Sequence, residues 1–148
     1  MQDLARHHQI HGVQPVLPVP DVPAAAEWFV RVLGLEIDFL VADDGQPPYY
    51  GRVRCGDRTW GDPVFIHLQQ DEGRITPCGE TRLHVGHDID GLFAHASAQG
   101  VEVLEPPADR PWGLREFALR GPGGHVLVLG AECAPPQPPA DPAGAAAP

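Results

Sequence analysis

The sequence predicts an α+β protein built from two tandem βαβββ modules, and three observations predict it. The stretch VLPVPDVPAAAEWFVRVLGLEI is echoed in register by RLHVGHDIDGLFAHASAQGVEV. Leu17 answers to Leu83, Val19 to Val85, Gly34 to Gly100, Glu36 to Glu102 and Ile37 to Val103, at a constant offset of 66 residues. A period this long excludes a coiled coil and the short solenoid repeats. Each copy opens with a short alternating run and continues into a helix-length segment, and three further strand-like runs follow it. Two such copies are expected to form a curved mixed sheet with a concave cleft and helices outside, over residues of about 13–70 and 80–130.

Taken in order, VQPVLPV alternates as a strand does, and Asp21 then offers an N-cap ahead of Pro23 and three alanines. Trp28, Val32 and Leu33 fall on neighbouring turns, and Gly34 suits the left-handed C′ position. The runs LEIDFLVA, YYGRVRC and PVFIHLQ, separated by DDGQPP and GDRTWGD, predict a three-strand meander. In the second copy TRLHV is the first strand, and Asp88 or Asp90 caps a helix through Leu92, Phe93 and Ala96 that stops at Gly100. The strands VEVLE, LREFALR and HVLVLG complete it, the last two joined by GPGG. Alternation turns Leu17, Val19, Leu83 and Val85 toward the helices. It leaves Gln14, Val16 and Pro18, and likewise Glu80, Arg82 and His84, on the opposite, concave face.

Outside these modules, residues 1–12 are expected to be a flexible start and residues 131–148, rich in Pro and Ala, a disordered tail with too little apolar area to offset its ordering entropy. At 148 residues the chain has the size of one domain and needs no disulfide or metal to fold. Three cysteines, Cys55, Cys78 and Cys133, with no C-x-x-C spacing, predict reduced thiols and a cytoplasmic protein. No window approaches a membrane span. The net charge of −10 arises from 20 acids against 10 arginines, with no lysine, which excludes Schiff-base chemistry and a nucleic-acid partner. An acidic surface favours cationic ligands. Ser97 is the only serine and belongs to no G-x-S-x-G turn, so nucleophilic catalysis has no support.

The first-module stretch quoted above, together with PWGLREFALRGPGGHVLVLG, resembles the vicinal oxygen chelate superfamily of glyoxalase I, extradiol dioxygenases and bleomycin-resistance proteins. PWG-x-REF is most similar to the bleomycin-resistance-like branch, although the usual DPDGN-type turn reads GPGG-His125 here. In the metal-dependent members, the resemblance implies ligands on the first and last strands of each module. Carried over by position, these are Gln14, His67, Glu80 and Val128, the last of which cannot ligate. A divalent cation is therefore possible in principle through Gln14, His67 and Glu80, but no cofactor is expected.

The resemblance further implies a homodimer that holds a small molecule in a groove. Trp112, Phe117, Trp60 and Tyr50 are candidates for its flat contacts, and His84, Arg82 and Glu116 for its polar ones. The expected function is non-enzymatic sequestration of an aromatic or cationic compound such as an antibiotic. The alternative is a metal-dependent lyase, isomerase or dioxygenase.

Overall fold

The structure, a computed structural model, describes residues 12–56, 63–77 and 79–133. The chain divides into two compact units, Met1–Ile75 and Thr76–Pro148. Among the described residues each contains one α-helix and four strands in the order strand, helix, three strands, as the internal repeat predicts, and the second adds a 3-10 turn at Pro122–Gly124.

In the first unit, β1 (Val16–Val19), α1 (Val22–Leu33), β2 (Glu36–Val41), β3 (Tyr50–Cys55) and β4 (Val64–Gln70) form a sheet of order β1-β4-β3-β2 and the helix that covers it. β1 runs parallel to β4, and the other pairs are antiparallel. The helix starts where Asp21 Oδ1 accepts from the Ala24 amide at 2.8 Å and ends at Gly34, whose φ of 69° only glycine adopts without strain. Ala25, Ala26, Phe29, Val32 and Leu33 are buried, as are Leu17, Val19, Val53, Ile66 and Leu68 of the strands, and together they form this unit's core. Trp28, expected on the packing face, is only half-buried and meets Phe29 edge-on with ring centroids 5.2 Å apart.

The second unit repeats the pattern with β5 (Glu80–His84), α2 (Ile89–Ala98), β6 (Val103–Asp109), β7 (Leu114–Arg120) and β8 (Val126–Glu132), in sheet order β5-β8-β7-β6. Of the two possible caps, Asp88 is the one used: it lies at φ 53°, and its Oδ1 accepts from the Gly91 amide at 3.0 Å. Asp90 instead faces Arg115, with 3.0 Å from Nε to Oδ1. β6 continues past the expected VEVLE through Pro106 and Pro107, and its register to β7 shifts there. Prolines lack the ladder donor, and an edge strand with a shifted register accepts them. Ala131 and Glu132, assigned above to the tail, belong to β8, where they pair with Arg115 and Leu114. Buried Phe117, Leu119, Leu127 and Leu129 form the core with Ile89 and Ala96 of α2.

In each unit one sheet face lies against its helix, and alternation sends the intervening side chains to the other. On that open face the first unit carries Gln14, Val16, Phe65, His67, Tyr50 and Arg52; the second carries Glu80, Arg82, His84, Glu116 and Val128. Among the described residues no helix is long and apolar enough to cross a membrane.

Candidate functional site

His67 is the centre of the first unit's open face. Its Nε2 lies 2.6 Å from Gln14 Oε1 and its Nδ1 2.6 Å from the Tyr50 hydroxyl. With an amide oxygen as its partner, Nε2 must carry the hydrogen, so Nδ1 accepts from the Tyr50 O–H. The imidazole is thus a neutral link in a chain from Tyr50 through His67 to Gln14. The register explains the meeting: Val16 is opposite His67 on β4, and Gln14 lies two residues earlier on the same face.

Next to this chain Arg52, directly opposite His67 on β3, has its guanidinium 4.9 Å from the Phe39 ring centroid and 4.3 Å from that of Phe65. Its Nε donates to Asp38 Oδ2 at 2.7 Å. Tyr50 stacks on Phe39 with 6.3 Å between centroids. Burial first, and the positive charge of Arg52 second, hold His67 below the ordinary histidine value of 6.5. The unfolded chain therefore binds more protons just below pH 6.5, so His67 makes the fold less stable as pH falls from 6.5 through the folded value and has no effect above it. A histidine titration followed by NMR should place the His67 midpoint below 6.5, and Arg52→Ala should raise it. A midpoint unmoved by that substitution would disprove the assigned cause.

The second unit uses the equivalent positions differently. Tyr50 pairs with Gln69, and 66 residues later Glu116 pairs with Gly130, so a carboxylate stands where the first unit has a phenol. Glu116 is 4 % exposed although it lies on the open face. Its Oε1 accepts from Arg82 Nη1 at 2.8 Å, and its Oε2 lies 3.6 Å from Arg110 Nε. Arg82 Nη2 also donates to Glu80 Oε2 at 2.9 Å, and Arg110 pairs with Glu105. The bond to Glu80, ahead of the pull of Glu116, raises the Arg82 pKa and keeps it charged. A Cβ on Gly130 would come within 3.1 Å of Glu116 Cγ, so glycine is what lets this side chain lie flat across β8.

Several expected site residues therefore meet: Gln14 with His67 and Tyr50, and Arg82 with Glu116. His84 is exposed at the end of β5, and Trp112, 61 % exposed, sits in the turn before β7 rather than on the strand. Phe117 requires a correction. It is fully buried on the helix side, edge-on to Phe93 at 5.2 Å, because the residue after an open-face Glu116 must point the other way. Trp60 lies outside the described residues. Sequence reasoning passed over Arg52, Phe39, Phe65 and Arg110. Alternation from Tyr50 carried the signal for Arg52, whereas Arg110 sits in a turn and had none.

Within each unit, the residues at the positions that the resemblance implies for a metal have other partners or lack a donor. Val128 offers no donor atom, Glu80 is engaged by the Arg82 cation, and both ring nitrogens of His67 are already hydrogen-bonded. Among the described residues no three His, Cys, Asp or Glu side chains gather as a metal site requires.

Residues 80–129 match the Glyoxalase/Bleomycin resistance protein/Dioxygenase superfamily. A bleomycin-binding protein from Streptomyces verticillus, solved with copper(II)-bleomycin, is 28% identical with a TM-score of 0.60, covering 86% of this chain and 98% of that one. TioX from Micromonospora sp. ML1 is 23% identical, TM-score 0.59, covering 82% and 99% of the two chains. A glyoxalase-related enzyme from Clostridium phytofermentans is 22% identical, TM-score 0.69, covering 86% and 98%. These last two show likeness of fold. No curated protein matches by sequence. With its paired βαβββ units and a second half that matches the superfamily's model, the chain is similar to the glyoxalase/bleomycin resistance/dioxygenase superfamily.

Proposed function

We propose that this protein is a small-molecule binder that sequesters an aromatic or cationic compound of the antibiotic kind, as a homodimer and without catalysing a reaction on it. The observation that carries the reading is the set of hydrogen-bonding and aromatic side chains on the first unit's open face. Gln14, His67 and Tyr50 are linked to one another, and Phe39, Phe65 and Arg52 lie beside them. A few fixed polar groups among flat apolar ones are the usual make-up of a ligand site. Support also comes from the 28% identity to the bleomycin-binding protein of Streptomyces verticillus.

Titration calorimetry with bleomycin-type glycopeptides and other aromatic antibiotics should give at least one interaction tighter than millimolar. Affinity should survive dialysis against a chelator when a metal-free ligand is used. Uniformly millimolar or weaker binding would refute sequestration, and chelator-sensitive binding would restore the metal-dependent reading.

A further inference from the structure

Glu116 is the charged side chain most deeply buried among the described residues, yet it stands on the sheet face that α2 does not cover. Burying a carboxylate is unfavourable unless strong partners compensate. Here the compensation is uneven. Arg82, which supplies the bond to Oε1, is 54 % exposed at its side chain and sits on the edge strand β5. Arg110 approaches Oε2 only to 3.6 Å, beyond hydrogen-bonding distance, and its Nε is buried with no hydrogen-bond partner in the described structure. The carboxylate is thus backed by a fixed charge on one side and closed on the other by an arginine reaching in from solvent.

We infer that Glu116 and Glu80 form a recognition site for a guanidinium or amidinium group, with Arg82 as its exchangeable resident. The inference rests on the sequestration reading and names the group on the ligand that this unit recognises. The planar fork of Arg82 spans the two carboxylates, through Nη1 to Glu116 at 2.8 Å and Nη2 to Glu80 at 2.9 Å. A ligand cation of the same shape reproduces both bonds, whereas a compact ammonium presents no such fork. Glu80, Glu105 and Glu116 outnumber Arg82 and Arg110, so a cation arriving as Arg82 swings into water leaves the local charge unchanged. Because Arg82 is half in solvent, a ligand cation can take its place from the solvent side without leaving the buried carboxylate uncompensated. Gly130 leaves the Glu116 side chain its bed on the sheet.

The test uses benzamidine as the cation and benzamide as its neutral, isosteric control, with calorimetry on the full chain. Benzamidine should bind and benzamide should not. Arg82→Ala should tighten benzamidine several-fold by removing the competitor, and Glu116→Gln should weaken it at least tenfold. Glu80→Gln, at an exposed position that does not threaten folding, should weaken it to a smaller extent. Unchanged or weaker binding by Arg82→Ala overturns the proposal, as does equal binding of the two probes or no benzamidine binding by either the native chain or Arg82→Ala. If bleomycin-type glycopeptides bind the native and Glu116→Gln proteins equally well, this site assignment fails while sequestration stands. If no antibiotic binds, sequestration itself fails.

Discussion

Replacing Phe117 with alanine is expected to destabilise the protein by about 3–5 kcal/mol, the usual cost of deleting a buried aromatic ring and leaving a cavity. Phe117 is fully buried, packs edge-on against Phe93 of α2, and sits between Leu129 across β8 and the helix. The loss should appear in urea unfolding as a lower midpoint at a similar slope, because the surface exposed on unfolding hardly changes. Ligand affinity, measured where the variant is still folded, should be retained, since this ring points away from Glu116 and Arg82. A variant of native stability that has lost binding would return Phe117 to the ligand site.

The matching position in the first unit is expected to fail in the opposite way. Gly51 is the counterpart of Phe117, opposite Leu68 as Phe117 is opposite Leu129. A Cβ there would come 2.7 Å from Leu40 Cδ2 and 3.2 Å from both the Phe39 carbonyl oxygen and Val22 Cγ1. Leu40 is partly exposed and can turn away, but the Phe39 carbonyl is part of the sheet and α1 holds Val22. Gly51→Val should therefore cost about 1–3 kcal/mol through overpacking, read from the urea midpoint, with Gly51→Ala costing less. A more stable valine variant would show that this packing is looser than the distances imply. One position of the repeat thus needs its bulk, and the other has no room for any.

Much of the fold was legible because the signals are local. Asp21 and Gly34 mark the ends of α1, and period-two alternation sorted Leu17 and Val19 from Gln14 and Val16. The same alternation places Arg115 and Glu116 on opposite faces, where Arg115 meets Asp90 and Glu116 meets Arg82. The misses have physical reasons too. Pro106 and Pro107 read as the end of a strand, but an edge strand tolerates them. Phe117 looked like a ligand contact because an aromatic residue in a strand carries no mark of its face until the neighbouring Glu116 is placed. Trp112 lies in the turn ahead of β7 and is exposed there.

By itself, the sequence determined the two-module architecture, the position of each helix and, by alternation, which residues of the first strand of each module turn to the helix and which to the open face. Periodicity and capping act over a few residues, and a repeat of 66 residues is visible in the letters alone. Only the tertiary structure decided what those residues do with one another. Gln14, Tyr50 and His67 are separated by up to 53 positions and become one hydrogen-bonded chain only when β1 and β3 flank β4. Glu116 is buried only because Gly130 lies beneath it and Arg110 returns from a turn behind it. A hydrogen bond or an ion pair depends on distances of about 3 Å, and chain folding, not residue order, sets distances on that scale.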